Sequence, residues 1–176
     1  MGLICITIFI SFVLNFGCNE AHTKQLKVVN NVTINNVLDT SKFAILSFDI
    51  WGKFGFDSTY SFATLNESDS SKIEILIYQS IQQYNSKLSK ERFKYKGVDT
   101  GRLHYKMQII PAMNNKGQKE IWVNGFCSHR NGWREPFNQN WKEQIVLVED
   151  GGNCYFNFKI NLDTKEYYSF YVNGYA

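Results

Sequence analysis

Proline is nearly absent from this chain, with two in 176 residues, so a proline-rich spacer is excluded. Histidine is almost as scarce. His22, His104 and His129 show no metal-ligand spacing, and neither a metal nor another cofactor is expected. A cluster of like charge is also missing. The net charge is +3 and the basic residues are scattered, which excludes the basic stripe of a nucleic-acid-binding protein. No apolar run reaches the roughly 20 residues that a membrane-spanning helix needs. The longest, "LICITIFISFVLNF" at residues 3–16, is uncharged and has the length of a signal-peptide core. No lysine or arginine precedes it.

What is present is a globular composition, 44% hydrophobic and 20% charged, with an unusual 16% of aromatic residues. Residues 1–17 read as a lipoprotein-type signal peptide. Gly17-Cys18 resembles the end of a bacterial lipobox, although Leu14 lies four residues before the cysteine and bulky Phe16 stands where a small residue is usual. The resemblance implies acyl chains on Cys18, which hold a protein at a membrane surface without spanning it. The protein is then exported, to the bacterial outer membrane or periplasm. The alternatives are cleavage nearby with a soluble periplasmic product, or a buried N-terminal element.

Residues 18–42 are polar and asparagine-rich and read as a tether, followed by a single α+β domain over 43–176. A first strand is expected at 43–49. Ser71 and Glu74 form an S-x-x-E capping box ahead of Ile73, Leu76, Ile77, Ile81, Tyr84 and Leu88, whose spacing predicts an amphipathic helix over 71–88. Five strands follow, at 104–113, 118–128, 143–149, 153–162 and 166–174, mostly joined by short turns such as "NNKG", "DGG" and "DTK". The expected fold is one helix packed on a curved antiparallel meander. Along 153–162, Cys154, Phe156, Phe158, Ile160 and Leu162 are expected on one face, with Tyr155, Asn157, Lys159 and Asn161 on the other.

The segments "WVNGFC", "DGGNCYFNFKINL", "YYSFYVNGYA" and "TLNESDSSKIEILIYQSIQQYN" resemble small exported lipoproteins of unknown activity from Bacteroidota, especially Flavobacteriia. The likeness covers roughly residues 43–176. That pattern often carries a cysteine after "WVN", where this chain has Gly125. The order of elements also looks cystatin-like. A cystatin inhibitor's Q-x-V-x-G hairpin is replaced here by "AMNNKGQ", so protease inhibition is not expected.

Cys127 and Cys154 are the cysteines outside the N-terminal segment, and in an oxidising compartment pairing is the default. The five-strand order places them at opposite ends of the 143–149 strand, about six residues of roughly 3.3 Å apart. A disulfide needs Cα atoms within about 7 Å. Two buried, unpaired cysteines are therefore expected. "CSH" at 127–129 sets Cys127 and His129 on one strand face, the spacing of a nucleophile and its base in a small periplasmic hydrolase. The alternative is a buried cysteine beside a loop histidine.

The longest gap in the expected meander is "SHRNGWREPFNQNW", residues 128–141. It interleaves Arg130 and Arg134 with Trp133, Phe137 and Trp141. Tryptophan and arginine are typical interface anchors, and stacked rings also hold sugars. The loop is the expected contact surface for a protein or glycan ligand, unless its tryptophans fold back over the sheet. The sequons at Asn31 and Asn66 matter only in a eukaryotic source. The expected function is a non-enzymatic, membrane-tethered binding module, with the hydrolase and a Trp133/Trp141 glycan-binding module as alternatives.

Overall fold

The computed structural model describes residues 38–129 and 140–175. It is an α+β fold with a mixed sheet. The described residues form six strands: β1 (Phe43–Ile45), β2 (Ser61–Phe62), β3 (His104–Met113), β4 (Lys119–His129), β5 (Tyr155–Asn161) and β6 (Tyr167–Val172). The helices are α1 (Phe48–Trp51), α2 (Glu67–Ser86) and α3 (Lys90–Lys96). The strand order is β1-β3-β4-β5-β6, with β2 also pairing β3.

The meander is antiparallel from β3 to β6, but β1 runs parallel to β3, with Phe43 opposite Met107. A purely antiparallel sheet is thus corrected to a mixed one. The 58-residue interval between Ile45 and His104 holds all three helices, and a connection of that length allows the parallel return. The first strand is also shorter than expected. Pro111, in the middle of β3, has no N–H to donate, and it lies between the stretch that pairs β1 (up to Ile109) and the stretch that pairs β2 (from Ala112).

Helix α2 begins a turn earlier than the expected Ser71 start. Asn66 is the N-cap: its side chain accepts from the Asp69 N–H at 2.8 Å, and Asp69 accepts from the Asn66 N–H at 3.0 Å. That is a capping box with Asn and Asp in place of Ser and Glu. The Ser71 hydroxyl instead donates to the Ser68 carbonyl. The apolar stripe holds as expected: Ile73, Leu76, Ile77 and Ile81 are buried, and Gln79, Gln82, Gln83 and Lys87 are exposed.

This stripe packs on one face of the sheet, the helix face. Met107 and Ile109 of β3, Ile121 and Val123 of β4, and Phe156, Phe158 and Ile160 of β5 meet it there. Each such fully buried side chain contributes about 1.5–3 kcal/mol. Gly125 belongs to the same face. It sits opposite Phe156, and a Cβ there would lie 2.2 Å from the Phe156 ring. The core includes Leu38, a residue of the expected tether.

The other face is covered as well, by irregular chain. Leu46, Phe56, Ile110, Ala112 and Trp122 form one cluster, and Ala44, Phe126, Trp141 and Val146 another. The expected strand at 143–149 does not form. Its backbone lies on the sheet, held by side-chain amides. Gln108 Nε2 donates to the carbonyls of Trp141 (2.6 Å) and Gln144 (2.7 Å), while Gln108 Oε1 accepts from the Val146 N–H at 2.9 Å. Asn124 Nδ2 donates to the Val146 carbonyl at 2.7 Å and to Gln108 Oε1 at 3.0 Å. Asn173 Nδ2 holds the Val148 and Asp150 carbonyls. With its polar backbone groups bonded this way, the segment has no need of a ladder.

Removing that strand joins β4 directly to β5, with Phe126 opposite Tyr155. The next pair along the same register is Cys127 and Cys154. They form a disulfide with Cα atoms 4.9 Å apart, which corrects the expectation of two free thiols. No helix among the described residues is long and apolar enough to cross a membrane.

Candidate functional site

The residues singled out from the sequence do not converge on one site. Cys18, Arg130, Trp133, Arg134 and Phe137 lie outside the described residues. Trp141 is 7% exposed and packs edge-on against Phe126, their ring centroids 5.9 Å apart. The ammonium groups of Lys106 and Lys142 lie 5.1 and 5.7 Å from its ring. It is thus part of the loop-face core. Trp141 cannot offer a ring to a glycan in this arrangement.

The pair Cys127 and His129 fails on two counts. Cys127 sulfur is bonded to Cys154, and a thiolate is the nucleophile that the hydrolase needs. The backbone also departs from simple alternation here. Tyr105 opposes Cys127 while His104 opposes His129, so Ser128 is an extra residue, a β-bulge, and i, i+2 spacing no longer guarantees a shared face.

The site that does form lies at the other end of the sheet. An open groove of about 990 Å³ runs between the end of α2, the β3–β4 turn, the β5–β6 turn and the Asp57–Tyr60 stretch. Its floor is Glu120, which is 4% exposed. Strand parity puts Glu120 on the loop face with Trp122 and Asn124, and cross-strand register sets it between Ala112 and Asn161.

A buried carboxylate is costly unless its oxygens are hydrogen-bonded. Here they are bonded four times over. Tyr60 Oη donates to Oε2 at 3.1 Å, and Tyr168 Oη donates to the same oxygen. Asn114 Nδ2 and Asn161 Nδ2 donate to Oε1 at 2.7 and 3.4 Å. The two asparagines also organise the flanking turns. Asn114 Oδ1 accepts from the N–H groups of Lys116 and Gln118, and Asn161 Oδ1 from those of Asp163 and Thr164. Among the described residues, no buried side-chain nitrogen or oxygen lacks a partner.

Tyr168 reaches Glu120 because β6 carries a bulge. Asn157 opposes Tyr171 but Lys159 opposes Tyr168, so Ser169 and Phe170 together face Phe158. Ser169 has φ of 53°, the left-handed conformation of such a bulge. The extra residue switches the strand's parity. Tyr168 points to the loop face, while Phe170 stacks on Tyr84 of α2 at 3.9 Å and 6°.

Burial raises the Tyr168 phenol well above its ordinary value, and its bond to the Glu120 carboxylate adds to the shift. Burial also raises Tyr60, and the Glu120 charge reinforces the shift. Both phenols are therefore neutral donors at physiological pH, not bases. Lys159 Nζ lies over the rings of Phe56, Tyr60 and Tyr168, at 5.1, 5.6 and 5.6 Å from their centroids. A cation above these ring faces is electrostatically favourable. The arrangement fixes a set of polar atoms at the groove floor and leaves the carboxylate with no open acceptor position.

Sequence reading did not single out Glu120, Tyr60, Tyr168, Asn114 or Asn161. One signal was present: a glutamate inside the apolar strand "KEIWVNGF" needs partners if that strand is central. Its partners come from residues 60 to 168, and only the bulge at Ser169 delivers the last of them. Searches against protein-family models, curated proteins and solved structures returned no match to this chain.

Proposed function

We propose that this chain is an exported, membrane-tethered cell-envelope protein that acts as a binding module, with the Glu120 groove as its contact site. The observation that carries this reading is the bond between Cys127 and Cys154. Structural disulfides persist in oxidising compartments and are rare in the cytosol. The same bond occupies the sulfur that a Cys127 hydrolase would require. The lipid anchor at Cys18 supplies the membrane attachment, as the lipobox-like Gly17-Cys18 pair suggests.

In shape the domain is cystatin-like in one respect, a long helix lying across an antiparallel meander. The parallel β1 and the covered second face are departures from that likeness. The relationship to exported Bacteroidota lipoproteins belongs to the same proposal.

The test is a non-reducing intact mass of the protein taken from native membranes. A chain that begins at acylated Cys18 and is two hydrogens lighter than the dithiol form is the expected result. A soluble, unacylated chain would remove the tether. Two free thiols in the freshly isolated protein would remove the argument for export.

A further inference from the structure

We propose that the groove above Tyr60 and Tyr168 binds a neutral oligosaccharide. This rests on the binding-module reading and names the ligand class for its groove. Charge is the first argument. Asp57, Glu120 and Glu166 line the groove against Lys87, Lys116 and Lys165, three acidic residues and three basic, so the lining has no net charge with which to select an ion. The polar character of these walls also disfavours an apolar ligand.

Hydrogen-bond polarity is the second. Tyr60 and Tyr168 both donate their hydroxyl protons to Glu120. Their oxygens, 3.2 Å apart, keep lone pairs to accept from a ligand, and a buried carboxylate holds both in place. Two fixed acceptors at that spacing suit adjacent hydroxyls on one sugar ring. Gln83 and Asn115 at the rim carry carboxamides, each a donor and an acceptor in one plane, which match the same kind of partner. Tyr167 and Tyr168 also line the groove, and tyrosine combines an apolar ring with a polar tip, as the C–H face and hydroxyl edge of a pyranose require. At about 990 Å³ the groove has room for more than one ring.

Glu120 touches no ligand in this scheme. It is a positioning residue, and it also ties two turns together, so variants at the rim give the cleaner test. The full-length protein in detergent is titrated calorimetrically with maltotriose, cellotriose and tri-N-acetylchitotriose, and separately with inorganic phosphate and spermidine. At least one neutral trisaccharide is expected to bind. The double variant Gln83→Ala/Asn115→Ala should weaken that binding at least tenfold without moving the melting temperature, and Tyr168→Phe should also weaken it.

No binding by any of the three trisaccharides would overturn the proposal, as would trisaccharide binding that the rim variants leave unchanged. Binding of phosphate or spermidine alone would overturn the ligand class while leaving a binding module. Failure of the export reading appears in the membrane-derived mass instead, and leaves the titration result standing.

Discussion

The two faces of this sheet are built on different principles. The helix face is dry: Ile73, Ile77, Ile109, Val123, Phe158 and Ile160 are all fully buried there, and apolar contact joins α2 to the strands. The loop face joins irregular chain to the sheet through amides. Gln108, 0% exposed, and Asn124 bind the backbone of residues 141–146, while Asn114 and Asn161 bind Glu120. Nonpolar burial on the first face tolerates small shifts. Side-chain amides on the second fix position, and that face carries the groove.

Breaking the dry face should have the largest effect. Phe158→Ala is expected to cost about 3–5 kcal/mol in urea unfolding, because the ring stacks with Phe170 at 4.6 Å and fills the centre of the core. Removing the disulfide with Cys127→Ala/Cys154→Ala should cost about 2–4 kcal/mol, since the bond closes a loop of sequence separation 27. Gln108→Leu should cost roughly 1–3 kcal/mol by leaving buried donors and acceptors around Val146 unpaired. Hydrogen exchange should then quicken at 144–148 and not in α2.

The phenols give a pH test of the polar face. Burial raises both the Tyr60 and the Tyr168 phenol above the ordinary value of about 10. Their stabilising contribution is therefore complete below pH 10 and lost as pH rises through the folded-state values. Unfolding followed from pH 9 to 12 should show that loss, and Tyr168→Phe should reduce its steepness. The smallest effect is expected at the bulge: Ser169→Gly relieves a left-handed residue and should stabilise by about 0.5 kcal/mol.

Legibility in the sequence follows the same division. The helix face was readable because its signals are periodic: the α2 stripe, and Phe156, Phe158 and Ile160 on alternate positions of β5. The α2 start is less legible, because both Ser71-x-x-Glu74 and Asn66-x-x-Asp69 have capping-box spacing and the second is the one that forms. The loop face has no period to read. "EQIVLVE" has strand composition, yet its partners are carboxamides at positions 108, 124 and 173, and no spacing announces them. A strand there would separate Cys127 from Cys154, whereas direct pairing of β4 with β5 brings them together. The groove was hidden for a related reason, since a single extra residue at Ser169 decides which way Tyr168 points.

The central claim is that side-chain amides, not a strand ladder, hold irregular chain on the second face. Hydrogen exchange over residues 140–150, compared between the parent protein and Gln108→Leu, tests it most directly. The parent should protect the Val146 amide, and the variant should lose that protection while α2 stays protected. Free exchange at Val146 in the parent, or protection that Gln108→Leu leaves unchanged, would contradict the account.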